Sequence, residues 1–207
     1  MPGLPRPCLA LVTDRTLAPD LPAAVERAVR GGVDLVQLRE RDLPAGDLLR
    51  LARELRAITR GRALLVVNDR LDVALAAGAD GVHLPEAGLP VPAARRLAPD
   101  GFLVGRSVHD AEGAARAARE GADYLVVGTV FPSRSHPGGG AAGPGLLGRV
   151  RAAAGPLPLL GIGGIDAGNA AAVLAAGADG VAVVSAVLAA ADPEAAARAL
   201  RAALTAG

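Results

Sequence analysis

His109, in the run Gly105-Arg106-Ser107-Val108-His109-Asp110, is the best acid/base candidate in this chain. Imidazole can take and return a proton near neutral pH. Asp110 is a natural N-cap, so His109 stands just outside a following helix. A second polar group is Gln37-Leu38-Arg39-Glu40-Arg41. Alternate residues of an extended chain share a side, so Gln37, Arg39 and Arg41 would present an amide and two guanidinium groups together. Asn68-Asp69 offers an amide and a carboxylate suited to Mg²⁺ or a substrate ammonium group. It is also an ordinary helix cap ahead of Leu71, the simpler reading of the pair alone. His83 closes another apolar run, and a lone histidine there is more often structural than catalytic. The stretch 129–145 carries Thr129, Ser133, Arg134, Ser135 and His136 ahead of three successive glycines, and such loops in compact domains tend to be lids. Gly163-Gly164 follows one apolar run and Ser185 follows the next. Two such turns on neighbouring strands would expose backbone amides as a cup for an anion.

These groups need strand ends that converge. The joint Gly-x-Asp recurs at Gly32-Val33-Asp34, Gly78-Ala79-Asp80, Gly121-Ala122-Asp123 and Gly177-Ala178-Asp179, each between a helical stretch and an apolar run. A helix-ending glycine before a buried strand is the αβ joint of a barrel or an open sheet. Strands are expected at 9–13, 35–38, 64–67, 82–84, 102–104, 124–128, 159–162 and 181–184. Helices are expected between them, including 45–60 and 169–176 with Asp166 as a cap, and a last one at 193–203. Eight alternating units predict a (β/α)₈ barrel, with the polar residues at the carboxyl ends of its strands. An open doubly wound sheet is the competing architecture.

A chain of 207 residues that is 51% hydrophobic is long enough for one well-cored domain and too short for two, so a single domain over 1–207 is expected. A net charge of +1 gives no electrostatic case for nucleic acid. No apolar run reaches membrane-spanning length, and the proline-rich start lacks the apolar core of a secretion signal, so no membrane partner and a cytoplasmic location are expected. The lone Cys8 has no disulfide partner and reads as a small buried hydrophobe. All 22 basic residues are arginine. That excludes Schiff-base chemistry and a Walker-type phosphate loop, because both require an amine. The sequence does not fix the oligomeric state, and a homo-oligomer stays open.

The runs Gln37-Leu38-Arg39-Glu40, Asn68-Asp69-Arg70, Gly81-Val82-His83-Leu84, Gly105 to His109, 128–135, 161–165 and 180–185 resemble, in order and spacing, the superfamily of thiamine phosphate synthases and thiazole tautomerases. The resemblance covers nearly the whole chain. It implies a barrel that binds the phosphate of a thiazole ethyl phosphate, a small-molecule partner, on amides near Gly163, Gly164, Val184 and Ser185.

Two activities occur in that superfamily. Synthases join a pyrimidine diphosphate to the thiazole phosphate through a dissociative, cation-like step, with Mg²⁺ and basic residues holding the departing pyrophosphate. Resemblance puts that Mg²⁺ on Asp69 and on a second aspartate where this chain has Gly88, two residues from Glu86. It also puts a lysine where His136 stands, and usually one where Arg41 stands. Tautomerases aromatise a carboxythiazole phosphate by a proton shift that needs no metal or other cofactor. They resemble the chain better at those departures, with His109 as acid/base, Ser107 orienting its imidazole, and Gln37, Arg39 and Asn68 positioning the ring. The sequence reading therefore favours the tautomerase. The synthase is the alternative, and a phosphate-binding regulator without catalysis is a third reading.

Overall fold

Every strand of this chain has to be apolar on both sides if it is enclosed by helices, and β1 (Cys8–Val12) shows how that is met. Cys8, Ala10 and Val12 point into one cluster with Leu35, Val66, Tyr124, Val126, Leu160 and Ala182. Leu9 and Leu11 point the other way, into a larger cluster shared with the helices. The first cluster fills a barrel and the second coats it.

In the computed structural model, which describes residues 3–133 and 140–206, β1 is followed by β2 (Leu35–Leu38), β3 (Leu64–Asn68), β4 (Gly81–Leu84), β5 (Leu103–Val108), β6 (Tyr124–Val127), β7 (Leu159–Ile162) and β8 (Gly180–Val183). All are parallel, each pairs with its sequence neighbours, and β8 returns to β1 with Cys8 opposite Gly180, so the sheet closes. The helices are α1 (Leu21–Arg30), α2 (Ala45–Thr59), α3 (Leu71–Ala77), α4 (Val91–Leu97), α5 (Ala111–Arg119), α6 (Gly145–Ala154), α7 (Ala170–Ala175), a short α8 (Ser185–Leu188) and α9 (Pro193–Thr205). This is the expected (β/α)₈ barrel, and the open sheet is excluded by closure.

The four Gly-x-Asp joints form one device used four times around the amino-terminal end. Asp34, Asp80, Asp123 and Asp179 accept from the backbone N–H of Leu9, Leu65, Val104 and Leu159, at 2.8, 2.8, 2.7 and 2.9 Å. Each carboxylate thereby bridges to the preceding odd-numbered strand and is paired with an arginine, respectively Arg201, Arg56, Arg95 and Arg151. Three of these arginines also bond the carbonyl of the joint glycine: Arg201 to Gly32, Arg95 to Gly121 and Arg151 to Gly177. Arg56 departs from the pattern, because its Nε is buried without a hydrogen-bond partner. Cys8 is buried beside Asp34, and burial first, then that charge, pushes its thiol up to about 12, as fits an inert core residue.

Three local expectations are corrected. β5 runs on through Val108, because Gly105 pairs with Tyr124 and Ser107 with Val126 instead of ending the strand. Gly105 belongs in the strand for a packing reason: a Cβ there would lie 2.1 Å from Tyr124 Cζ. Asn68-Asp69 does not cap α3; Arg70 holds that position, and no side chain bonds the helix start. Asp166 accepts from Gly168 N at 2.8 Å in a local turn, and α7 begins later, with Asn169 at its N-cap. The ends of the 129–145 stretch are tied together by Ala142 N to Thr129 O, 3.0 Å, and Gly143 N to Val130 O, 3.1 Å. Arg134, Ser135 and His136, with the lid expectation that rests on them, lie outside the described residues.

Candidate active site

The carboxyl ends of the strands surround a cavity of about 450 Å³. Gln37, Arg39, Arg41, Asn68, His83, Ser107, His109, Thr129, Ser133, Gly163, Gly164, Val184 and Ser185 all line it, so the structure brings together every described site candidate except Asp69. Asp69 lies in an adjoining 270 Å³ pocket, which shares Arg41, Asn68 and Pro85 with the main cavity. Val126, Ile162 and Ala182 give the main cavity an apolar part, and Val126 and Ala182 belong to the barrel core.

Strand alternation aims Gln37 inward two residues after Leu35, and its Nε2 donates to Asn68 Oδ1 at 3.0 Å. That bond orients both amides. Arg39 stands beyond Gln37, where burial first and the neighbouring Arg41 charge second lower its pKa from the ordinary guanidinium value. Between them, Glu40 faces away from the cavity. It accepts from Thr13 Oγ1 at 2.7 Å and from Arg15 N at 3.1 Å, fastening the end of β1 to the end of β2.

His83 is 1% exposed. Its Nε2 lies 2.8 Å from Ser107 Oγ and its Nδ1 3.2 Å from Tyr124 Oη. Burial, with the Arg106 and Arg39 charges added, pulls its pKa down to about 3, so the ring is neutral near pH 7. Ser107 therefore belongs to His83, which corrects its expected role as the partner of His109. The partner of His109 is Glu86: Nδ1 and Oε2 are 2.7 Å apart at the rim, with side chains 58% and 41% exposed. The loop bearing Glu86 is pinned by Arg106, whose guanidinium donates to the Glu86 and Leu89 carbonyls at 2.6 and 2.8 Å.

Asp69 has φ +63°, a left-handed conformation that costs a non-glycine residue free energy and is typical of functional turns. Its carboxylate has no hydrogen-bond partner among the described residues, and Oδ1 would lie 2.7 Å from a Cβ at Gly88. Mg²⁺ in phosphate-handling sites is commonly held by one or two carboxylates together with substrate oxygens and water. An unpaired carboxylate beside Arg41 fits that pattern with Asp69 as the single protein ligand. Glu86 does not make a second, since its carboxylate is engaged by His109.

Gly163 and Gly164 have φ +103° and +61°, and a Cβ on either would lie 2.4 Å from Thr129 Cγ2 or the Pro132 carbonyl oxygen. Only glycine fits both positions. The Gly163 and Gly164 amides have no acceptor among the described residues, while Val130 N and Phe131 N bond the Ile162 and Gly163 carbonyls at 2.9 and 3.0 Å. The first amides of α8, starting at Ser185, open on the same cavity.

The family model described as thiamine monophosphate synthase matches residues 9–187. The chain belongs to that family. A thiamine-phosphate synthase of Methanoculleus marisnigri is 51% identical over 203 residues, covering 93% of each chain. A putative thiamine-phosphate synthase of Geobacter sulfurreducens is 49% identical over 201 residues, covering 95% of this chain and 93% of its own. In structure, the thiamine phosphate pyrophosphorylase of Pyrococcus furiosus aligns with a TM-score of 0.87 at 38% identity, covering 95% of each chain.

Membership makes this an enzyme of thiamine biosynthesis and overturns the tautomerase reading, because curated relatives at this identity bear the synthase name. The departures at Gly88 and His136 carried too much weight in the sequence: each is one position, whereas the relatives match along nearly the whole chain. Among the described residues no helix is long and apolar enough to cross a membrane. Sequence reasoning missed Glu86 as the partner of His109 and Tyr124 as the partner of His83. It also missed the apolar lining by Val126 and Ile162, for which strand alternation was the available signal.

Proposed function

We propose that the protein is a thiamine-phosphate synthase, joining a hydroxymethylpyrimidine diphosphate to a thiazole phosphate. The observation that carries this reading is a cavity with two phosphate-suited regions: the glycine amides at Gly163 and Gly164, and the Arg41 wall, where an adjoining pocket brings in Asp69, whose carboxylate has no hydrogen-bond partner among the described residues. A two-substrate coupling between phosphate esters needs two such regions, whereas isomerising one thiazole phosphate needs one.

In this reading the amides of Gly163, Gly164, Val184 and Ser185 hold the thiazole phosphate, and Thr129 and Ser133 lie along the same wall. Gln37, Asn68 and Ser107 orient the pyrimidine through its ring nitrogens and amino group. Arg39 and Arg41 face the diphosphate. The pyrimidine methylene–oxygen bond breaks, pyrophosphate leaves with the electron pair, and the thiazole nitrogen forms the new carbon–nitrogen bond. Val126 and Ile162 exclude water from the cation-like carbon. Asp69 would hold Mg²⁺, whose chemistry there is to offset charge on the leaving pyrophosphate. Small phosphorylated substrates accord with a cytoplasmic enzyme.

The test is thiamine phosphate formation from the two substrates with Mg²⁺, compared with Asp69→Asn. Coupling by the parent protein and a fall of about 10²-fold or more in the variant are expected, the size of losing one strong transition-state charge contact. No coupling by folded parent protein, or full activity in Asp69→Asn, would sink the respective part of the reading.

A further inference from the structure

We infer that Tyr124, His83 and Ser107 form a buried relay that fixes Ser107 as a hydrogen-bond donor to substrate, making Tyr124 a positioning residue that never touches the ligand. The inference rests on the proposed synthase function for the identity of that ligand, but the relay itself is read from three side chains.

A neutral imidazole has one donor nitrogen and one acceptor nitrogen. His83 is buried with one hydroxyl on each ring nitrogen and no carboxylate against it, which favours the neutral ring, and a neutral ring there has two arrangements. In one, Tyr124 O–H donates to Nδ1, Nε2–H donates to Ser107 Oγ, and the Ser107 proton is left for the cavity. In the other, Nδ1–H donates to Tyr124 Oη and Nε2 accepts the Ser107 proton, so Ser107 offers the cavity only lone pairs. The second arrangement strands the phenol proton, because Tyr124 is fully buried and has no other hydrogen-bond partner among the described residues. An unpaired buried hydroxyl disfavours a state by roughly tenfold to a hundredfold. Burial also raises the Tyr124 pKa, keeping the phenol protonated and able to donate.

The barrel holds this geometry firmly. Tyr124 occupies the space left by Gly105, where a Cβ would meet its Cζ at 2.1 Å and its Oη at 2.5 Å. His83 and Tyr124 rings have centroids 5.6 Å apart, tilted by 36°. Ser107 is paired in register with Val126, so both face the same cavity. A donor there selects a ring acceptor such as an unprotonated pyrimidine nitrogen, and disfavours a ring presenting N–H at that point.

Nitrogen NMR on protein carrying isotope-labelled histidine tests the relay directly. The chain has only 3 histidines, and His109→Ala and His136→Ala assign the His83 signals by elimination. The expected spectrum has His83 protonated on Nε2 and bare on Nδ1; protonation on Nδ1 would overturn the inference. A coupled measurement tests the link to substrate. Tyr124→Phe should raise KM for the pyrimidine diphosphate roughly 3- to 10-fold in the parent and less than about twofold in a Ser107→Ala background. Equal effects in both backgrounds would mean that Tyr124 only fills space, and would refute the positioning role. If neither background couples the substrates while the nitrogen spectrum is as expected, the relay stands and the synthase reading falls.

Discussion

His109→Ala separates the two chemistries that this superfamily invites. The imidazole touches the chain through Glu86 at 2.7 Å, in a pair with side chains 58% and 41% exposed. A pair that open contributes about 0–1 kcal/mol, so the melting temperature should fall by at most a few degrees. For the rate, the proposed coupling breaks a carbon–oxygen bond and makes a carbon–nitrogen bond, and it requires no proton to move at the rim. Removing His109 should therefore change kcat by less than about tenfold, against the ~10²–10⁴-fold loss expected of a general acid or base. The assay is steady-state pyrophosphate release at saturating substrates, with a thermal melt on the same sample. A loss of about 10²-fold or more in kcat with an unchanged melt would place proton transfer in the reaction and refute this reasoning.

Gly164→Ala forces a Cβ to 2.4 Å from the Pro132 carbonyl oxygen at φ +61°, so the turn must shift; KM for the thiazole phosphate should rise about tenfold or more, read from initial rates. His83 is held neutral with its pKa near 3, below its unfolded value of about 6.5. Between those values the unfolded chain binds the extra proton, so this residue's contribution to stability is full above pH 6.5 and declines by up to about 1.4 kcal/mol per unit on acidification, as urea titrations across that window would reveal. Arg151→Met breaks the Asp179 pair and bonds to the Gly177 and Leu157 carbonyls, and should cost about 2–3 kcal/mol in urea unfolding. Arg56→Met, lacking the corresponding glycine contact, should cost about half as much; equal losses would show that the carbonyl bonds contribute nothing.

What the sequence disclosed depended on how far apart the cooperating residues lie along the chain. The joints were legible because Gly78, Ala79 and Asp80 are adjacent, and the convergence of Gln37, Arg39 and Arg41 followed from alternation along one short stretch. The partners of those groups were not legible. Tyr124 meets His83 across 41 positions, and Glu86 meets His109 across 23. Each contact depends on strand register, which one sequence does not specify residue by residue. Gly105 illustrates the failure. As a residue it signals the end of a strand, and only the Tyr124 ring lying over it explains why a strand continues there. Asp69 failed for a related reason: its left-handed backbone points the carboxylate at Gly88 instead of at the start of α3.

The two ends of the barrel divide the work, and the division explains why the site can carry such groups. At the amino-terminal end, four aspartates bridge paired strands to arginines, so neighbouring strands are fastened by bonds whose aspartates lie outside the cavity lining. The carboxyl-terminal end is then free to hold polar groups that add little to folding: an Asp69 carboxylate and glycine amides that have no hydrogen-bond partner among the described residues, and a rim pair open to solvent at Glu86 and His109. An unpaired carboxylate is tolerable because water reaches it, and it becomes an asset when a cationic or phosphate-bound ligand arrives. The His83 relay is the exception that marks the boundary between the two regimes. It is buried like the core, yet its last member opens on the cavity, so the packing that secures Tyr124 over Gly105 also sets which hydrogen-bonding face the substrate meets.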